Sequence, residues 1–271
     1  MISWQPSALL KLGIMAALKA GERIESIQLS GFTVLLKPDG SPVTDADKAA
    51  DDIIFNYLVK SKIPIISEEQ VIVPYSERKL WNRLWLVDPL DGTKAFIKKY
   101  PDYAVNIALV EQGVPCLGIL YFPALRMLYF AERHCGAYYL KIPHIKEPLD
   151  ELLCDACRIE KKILPHIYTV ACSRSAFGAH EAQYVDALKF KLGDVNTLIA
   201  GGSLKQAYVA EHRVHEYPRF GKTMEWDTAA GQCIIEENGG AILNWETKAP
   251  LRYNTESLVN PYFVAYAKIK T

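Results

Sequence analysis

The stretch WLVDPLDGT, residues 85–93, sets the carboxylates of Asp88 and Asp91 three residues apart at the end of an apolar run. It constrains the fold more than any other segment. An apolar run of this length that empties into Pro and Gly reads as a buried strand ending in a turn. A surface turn alone would be the simplest use for Asp-Pro-Leu-Asp-Gly, because Pro and Gly punctuate turns and Asp tolerates their backbone angles. Two other segments raise the stakes. Residues 63–66 read as a strand that runs into Ser67, Glu68 and Glu69. In EWDTAAGQCIIEENGG the residues Trp226, Ala229, Ala230, Cys233 and Ile234 share one helical face, which puts Asp227 in the first turn of that helix. Carboxylates at the ends of elements can be aimed into one crevice, where they repel one another unless a cation neutralises them. Hard oxygen donors of this kind suit magnesium. A turn stiffened by Pro89 can direct Asp88, the Leu90 carbonyl and Asp91 toward such an ion, and a helix starting at Gly92 and Thr93 would offer N–H groups to a phosphate beside it.

The remaining sequence supplies a scaffold. Residues 6–20 have helical spacing, with Gly21 as the expected terminator. Thr44 can cap a second helix whose Ala50, Ile53, Ile54, Tyr57 and Leu58 fall on one face. Strands near 104–110, 114–121, 127–131 and 136–140 read as an antiparallel meander. Residues 143–165 turn charged and irregular, which predicts a boundary between an N-terminal α+β domain, 1–145, and a C-terminal α/β domain, 160–271. Within the second domain, Ser203 and Gln206 have the spacing of a capping box after Gly201 and Gly202.

Composition excludes several functions. The 31 basic and 31 acidic residues cancel, so no overall field is available to hold a nucleic-acid polymer. The apolar runs are broken by Asn106, Pro123 and Arg126, which predicts no transmembrane segment. Six scattered cysteines suit a reducing cytoplasm, and the C-x-x-C of Cys154 and Cys157 has no partner motif at zinc-site spacing. His212 and His215 read as surface residues. Ser173 and Ser175 lack an adjacent histidine base, which argues against a serine nucleophile. No G-x-G-x-x-G follows a predicted strand, so a dinucleotide-binding fold is disfavoured.

The order and spacing of SEE, DPLDGT and EWDTAAG resemble the magnesium-dependent, lithium-sensitive phosphatase superfamily that includes inositol monophosphatase. KPDGSPVTDADKAA, YPRFGKTMEWDTAAG and the closing LVNPYF narrow the resemblance to its 3'(2'),5'-bisphosphate nucleotidase branch. That resemblance spans nearly the whole chain. It implies an α+β/α/β sugar-phosphatase fold in alternating α-β-α-β-α layers. It also implies a hydrolase that converts adenosine 3',5'-bisphosphate to AMP, and the sulfated form of that nucleotide to adenosine 5'-phosphosulfate, by metal-activated water. The metal ligands carried over are Glu68, Asp88, Asp91, Asp227 and the Leu90 carbonyl, around two or three Mg2+ ions. Thr93 would orient the water, with Asp47 behind it and Glu68 sharing in catalysis. Substrate contacts would come from Glu68, Leu90, Asp91, Gly92, Thr93, Ser173, Ser203, Lys205, Arg219 and Asp227, with Lys205 and Arg219 holding the phosphate that is not cleaved.

The implied partner is a small nucleotide bisphosphate, for a monomer or homodimer in the cytoplasm, peripheral at the inner membrane in some bacterial relatives. Two departures concern substrate choice: Gly202 stands where the nucleotidases often carry serine, and Ala176-Phe177 where a polar residue or histidine is common. An inositol-monophosphatase-like phosphomonoesterase is the alternative within enzymes. A non-catalytic nucleotide sensor is the alternative of another class, and it would be expected to have lost an acid or Thr93.

Overall fold

The computed structural model describes residues 5–142, 148–174 and 178–268. The chain opens with a long helix, α1 (Ala8–Ser30), a short hairpin of β1 (Val34–Leu36) and β2 (Pro42–Thr44), and α2 (Asp45–Leu58). Next come β3 (Ile65–Ser67), α3 (Tyr75–Arg78), β4 (Arg83–Asp91) and α4 (Thr93–Ile97). The meander follows as β5 (Ala104–Glu111), β6 (Val114–Phe122), β7 (Met127–Glu132) and β8 (Gly136–Lys141). After α5 (Leu149–Leu153) and β9 (Cys157–Arg158), the second half alternates strand and helix. It runs β10 (Tyr168–Ser173), α6 (Ala179–Leu192), β11 (Val195–Ala200), α7 (Leu204–Ala210), β12 (Glu216–Arg219) and α8 (Glu225–Glu237), and closes with β13 (Ala241–Asn244) and β14 (Phe263–Tyr266).

Two sheets carry the fold: a seven-stranded one in the order β3-β4-β5-β6-β7-β8-β9, and a five-stranded one in the order β11-β10-β12-β14-β13. Strand alternation explains how they stack. On β4 the side chains of Trp85 and Val87 enter a core shared with Leu10, Ile14 and Ile24 of α1 and Ala50 and Ile54 of α2. Leu84 and Leu86 face the other way, into a core with Ala229, Ala230, Cys233 and Ile234 of α8 and Ala207 of α7. That second core is closed on its far side by Tyr217 of β12 and by Phe263 and Ala265 of β14. On β10, Ala171 faces α7 and α8, whereas Val170 and Cys172 pack with Val185 of α6 beyond the second sheet. The sequence of layers is therefore α-β-α-β-α, as the family resemblance implied. The layers lie close: a Cβ at Gly118 of β6 would meet the Ala230 carbonyl of α8 at 2.3 Å.

Several expectations need correction. Helix α1 does not stop at Gly21 but runs to Ser30, and it ends against Gly31, whose φ is 95° and whose N–H donates to the Ile27 carbonyl at 3.0 Å. Gly21 is a packing glycine, since a Cβ there would lie 2.2 Å from Cε1 of the buried Tyr121 ring. The capping box at Ser203 does not form; its hydroxyl donates instead to Asn106 Oδ1 at 2.9 Å, and Gln206 Nε2 donates to the Asp227 carbonyl at 2.7 Å. Tertiary contacts outweigh the local signal there. His212 is buried with its Nδ1 on the Lys162 carbonyl at 2.8 Å and is not a surface residue, whereas His215 is half-buried, stacked on Tyr168 and accepting the Thr169 N–H on its Nδ1 at 3.0 Å. The strands of the meander fall where expected, and all six cysteines are free, with Cys154 and Cys157 exposed. Residues 143–147 of the expected boundary, and Ser175, Ala176 and Phe177, lie outside the described residues.

Helix propensity alone would make Gly21→Ala stabilising by about 1 kcal/mol. Against the Tyr121 ring it is expected to cost about 1–3 kcal/mol, the usual penalty for overpacking. Urea denaturation of the two proteins decides, and a more stable variant would show that the ring yields.

Candidate active site

Regular alternation would put Asp88 and Asp91 on opposite faces of β4. The strand is not regular there. Its pairing with β5 runs in register to Asp88↔Asn106, then shifts before Asp91↔Ala104, and Pro89 lies within the shift. Leu90 turns into the core beneath α1 and α2, while Asp88 and Asp91 both line the crevice on the α8 side. The Asp88 carboxylate secures the bulge by accepting the Leu90 N–H at 3.0 Å. Such a bulge is a common device for re-aiming side chains.

Glu68 reaches the same place from β3, held by its own N–H on the Val87 carbonyl at 3.1 Å and by Trp226 Nε1 on its Oε2 at 3.1 Å. Asp227 arrives from the first turn of α8, where its Oδ2 also accepts the Met224 N–H at 2.8 Å. Carboxylate oxygens of Glu68, Asp88 and Asp227 lie within 4.8 Å of one another. Asp91 stands beside them, its Oδ2 taking the N–H of Ser203. That approach depends on Gly202, because a Cβ at this position would lie 2.6 Å from Asp91 Oδ2.

Electrostatics follows from this crowding. Burial, then the charges of Glu68, Asp91 and Asp227, raises the Asp88 pKa well above the ordinary carboxylate range. Burial and Asp91 lift Asp227 to about 8, although the Met224 N–H and Arg219 pull the other way. A donor set made only of oxygens, close together and resisting ionisation, fits a hard divalent cation.

The crevice has a volume of about 320 Å³ and is lined by Glu68, Asp88, Leu90, Asp91, Gly92 and Thr93 on one side. Ser173, Ser203, Lys205, Arg219 and Asp227 line the other. Every candidate from the sequence is there except Asp47, which sits one layer back. Its Oδ1 accepts the Thr93 hydroxyl at 3.0 Å, and its Oδ2 accepts the Thr44 N–H at 2.7 Å to cap α2. Burial raises the Asp47 pKa against the lowering effect of the Thr44 and Thr93 hydrogen bonds. The Leu90 carbonyl, 3.3 Å from the Thr93 hydroxyl, is the alternative acceptor for its one proton.

The two cations differ. Lys205 is buried, with Nζ on the Gly202 carbonyl at 2.7 Å and 5.0 Å from the centre of the Tyr217 ring. Burial depresses its pKa to about 8, with Asp91 opposing and Arg219 adding to the shift. Arg219 is only partly buried and bridges the Lys222 carbonyl at 3.0 Å and Ser173 Oγ at 3.4 Å.

Three residues of the site were not singled out in the sequence. Lys37, just after β1, places its ammonium 2.8 Å from Glu68 and 2.6 Å from Glu69. Burial opposes that charge, but the two carboxylates hold the Lys37 pKa above its usual value. Arg174 lines the crevice and pairs with the buried Asp102 at 2.9 Å, and Asp102 also takes the Gly201 N–H at 2.6 Å. Lys37 stands inside KPDGSPVT and Arg174 beside Ser173, so proximity to a motif was the signal available; Asp102 had none.

A profile of the inositol monophosphatase family matches residues 5–268. The 3'(2'),5'-bisphosphate nucleotidase CysQ of Salmonella typhimurium is 38% identical over 236 residues, which is 84% of this chain and 86% of that protein. The crystal structure of CysQ from Bacteroides thetaiotaomicron superposes with a TM-score of 0.87 at 38% identity, covering 96% of this chain and 97% of the other. The IMPase of Thermotoga maritima shares the fold, with a TM-score of 0.71 at 22% identity over 94% of this chain and 90% of the other.

The raised pKa of Asp227 has a consequence for chelator-treated protein. A carboxylate whose pKa rises from 3.8 to about 8 on folding favours the native state below pH 4, and that contribution is lost as pH climbs through 8. Asp227→Asn keeps an oxygen to cap α8 and removes the titration. Its stability relative to wild type is expected to rise between pH 5 and pH 9, by about 1.4 kcal/mol for every tenfold by which folding tightens the proton on Asp227. Thermal denaturation at the two pH values checks this, and a pH-independent difference would contradict it.

Proposed function

The chain belongs to the inositol monophosphatase family, and we infer that it is a 3'(2'),5'-bisphosphate nucleotidase that hydrolyses adenosine 3',5'-bisphosphate to AMP and phosphate. One observation carries the reading beyond a phosphatase in general. The crevice that holds the acids also holds Lys205 and Arg219, two cations for a second phosphate. The sulfated form of the nucleotide would meet the same groups.

Glu68, Asp88, Asp91, Asp227 and the Leu90 carbonyl are the residues that would hold magnesium, as two or three ions. The ions supply positive charge against the phosphoryl group and lower the pKa of water. The chain's own residues do the rest. The Thr93 hydroxyl donates to Asp47, which leaves its oxygen lone pairs free to orient an attacking water, and Asp47 stands ready to take up a proton through that hydroxyl. Glu68, steadied by Trp226, faces the same water. Lys37 neutralises Glu68 and Glu69 and keeps that edge of the crevice from repelling an anionic substrate. Ser173 supports Arg219, and the Ser203 N–H fixes Asp91. Lys205, whose pKa is held near 8 by burial, becomes more firmly protonated once a phosphate lies beside it. No helix of the described residues is long and apolar enough to cross a membrane, and the free cysteines suit the cytoplasm.

Phosphate release from adenosine 3',5'-bisphosphate and from 3'-AMP, with magnesium, tests the reading. Lys205→Ala should lose about tenfold to a hundredfold in kcat/KM on the bisphosphate, the size of one charge-assisted contact, and little on 3'-AMP. Equal losses on both would reduce the assignment to a phosphatase of other specificity, and faster release from inositol 1-phosphate would favour the polyol reading.

A further inference from the structure

A cavity of about 400 Å³ lies at the far ends of the two helices whose starts build the crevice. Its wall includes His212, just past the end of α7, Asn238 and Gly239 at the end of α8, and the lysines Lys161, Lys162 and Lys268. Asn238 Nδ2 donates to the Ala210 carbonyl at 2.7 Å and ties the two helix ends together. Helix α8 rises about 15 Å between Asp227 and Glu237, so the cavity is remote from the acids.

Lysines beside a helix C-terminus have an ordinary explanation, because cations favour that end of the helix dipole. Lys161 fits it: its Nζ would lie 3.0 Å from a Cβ on Gly239, where the chain leaves α8. His212 does not. Its ring is buried, its Nδ1 faces the Lys162 carbonyl at 2.8 Å, and its Nε2 is buried without a partner among the described residues. A ring nitrogen on a carbonyl carries the proton, so Nε2 is a lone pair in the neutral ring and an N–H only in the imidazolium. Either state needs a partner that the described residues do not supply, and a buried polar group left so is costly. Among the described residues that line the cavity there is no carboxylate. Three lysines and an orphaned ring nitrogen thus share one wall.

We propose that this cavity binds inorganic phosphate, at a site separate from the crevice. Near neutral pH inorganic phosphate carries both a P–OH and charged oxygens. It can donate to the Nε2 lone pair of His212 or accept from its N–H, while the other oxygens meet the ammoniums of Lys161, Lys162 and Lys268. Sulfate has no proton to donate and serves only the imidazolium. The dianion of a phosphomonoester lacks that proton too. The site is independent of which alcohol the crevice releases. Phosphate held there rests on the far ends of α7 and α8, whose starts carry Ser203, Lys205 and Asp227.

Isothermal calorimetry of chelator-treated protein, whose unneutralised acids repel anions from the crevice, compares inorganic phosphate, sulfate and methyl phosphate. Wild type should take up phosphate at one saturable site, about tenfold more tightly than either of the others, the size of one hydrogen bond. Lys161→Ala with Lys268→Ala changes two exposed residues and should weaken phosphate by about tenfold or more. His212→Asn removes Nε2 but keeps an amide donor for the Lys162 carbonyl, and Asn suits the left-handed backbone there, where φ is 58°. It should bring phosphate level with sulfate. Magnesium-dependent phosphatase rates of both variants should match wild type, which reports an intact fold and crevice. No saturable phosphate binding to wild type, or unchanged affinity in the lysine variant, would overturn the proposal. So would binding lost together with activity, which would place the phosphate in the crevice. Sulfate or methyl phosphate bound as tightly as phosphate would overturn phosphate as the ligand.

Discussion

The mutual repulsion of Glu68, Asp88, Asp91 and Asp227 is the constraint around which the molecule is built. Left alone, carboxylates this buried and this close hold their protons: burial first, and then the charges of the neighbouring acids, raises the pKa of Asp88 and of Asp227. Each is nevertheless fixed by backbone or side-chain hydrogen bonds: Asp88 by the Leu90 N–H, Asp91 by Ser203, Glu68 by Trp226 and Asp227 by Met224. The fold gives up stability to keep the acids together, a common trade at functional sites. Lys37 offsets part of the repulsion from the hairpin side.

The acids come from β3, β4 and α8, so the crevice exists only while the layers keep their register. Contacts between distant parts of the chain do this. Asp102 binds Arg174 and the Gly201 N–H, Asn106 binds the Ser203 hydroxyl, and Gln206 binds the Asp227 carbonyl. The first two join the ends of β10 and β11 and the start of α7 to Asp102 and to β5, an inner strand of the seven-stranded sheet, and the third joins α7 to α8. Gly118 and Gly202 let backbone and carboxylate approach where a Cβ would intrude. Removing any of these contacts would loosen the geometry of residues it does not touch.

Much of this was legible in the sequence because its signals are local. The apolar run before Asp88, the meander, and the helical face of Trp226, Ala229 and Cys233 each report their own element. The candidate acids could be named because each ends such an element. What could not be read was how elements meet. Gly21 looks like a helix stop because local rules cannot see Tyr121. Ser203 looks like a cap because Asn106 is 97 residues away. Lys37, Arg174 and Asp102 acquire their roles only through partners distant in the chain. The bulge at Pro89 lies between: the proline signals a turn, but the reversal that puts Asp88 and Asp91 on one face is visible only in the strand register.

If the acids form a cation site assembled from both halves of the chain, a metal must find them all at once. Anomalous diffraction from crystals soaked in manganese shows whether it does. A peak is expected within coordinating distance of Glu68, Asp88 and Asp227 together, and it should be lost in Asp88→Asn. A peak elsewhere, or none at these three residues in protein that still diffracts well, would contradict such a site.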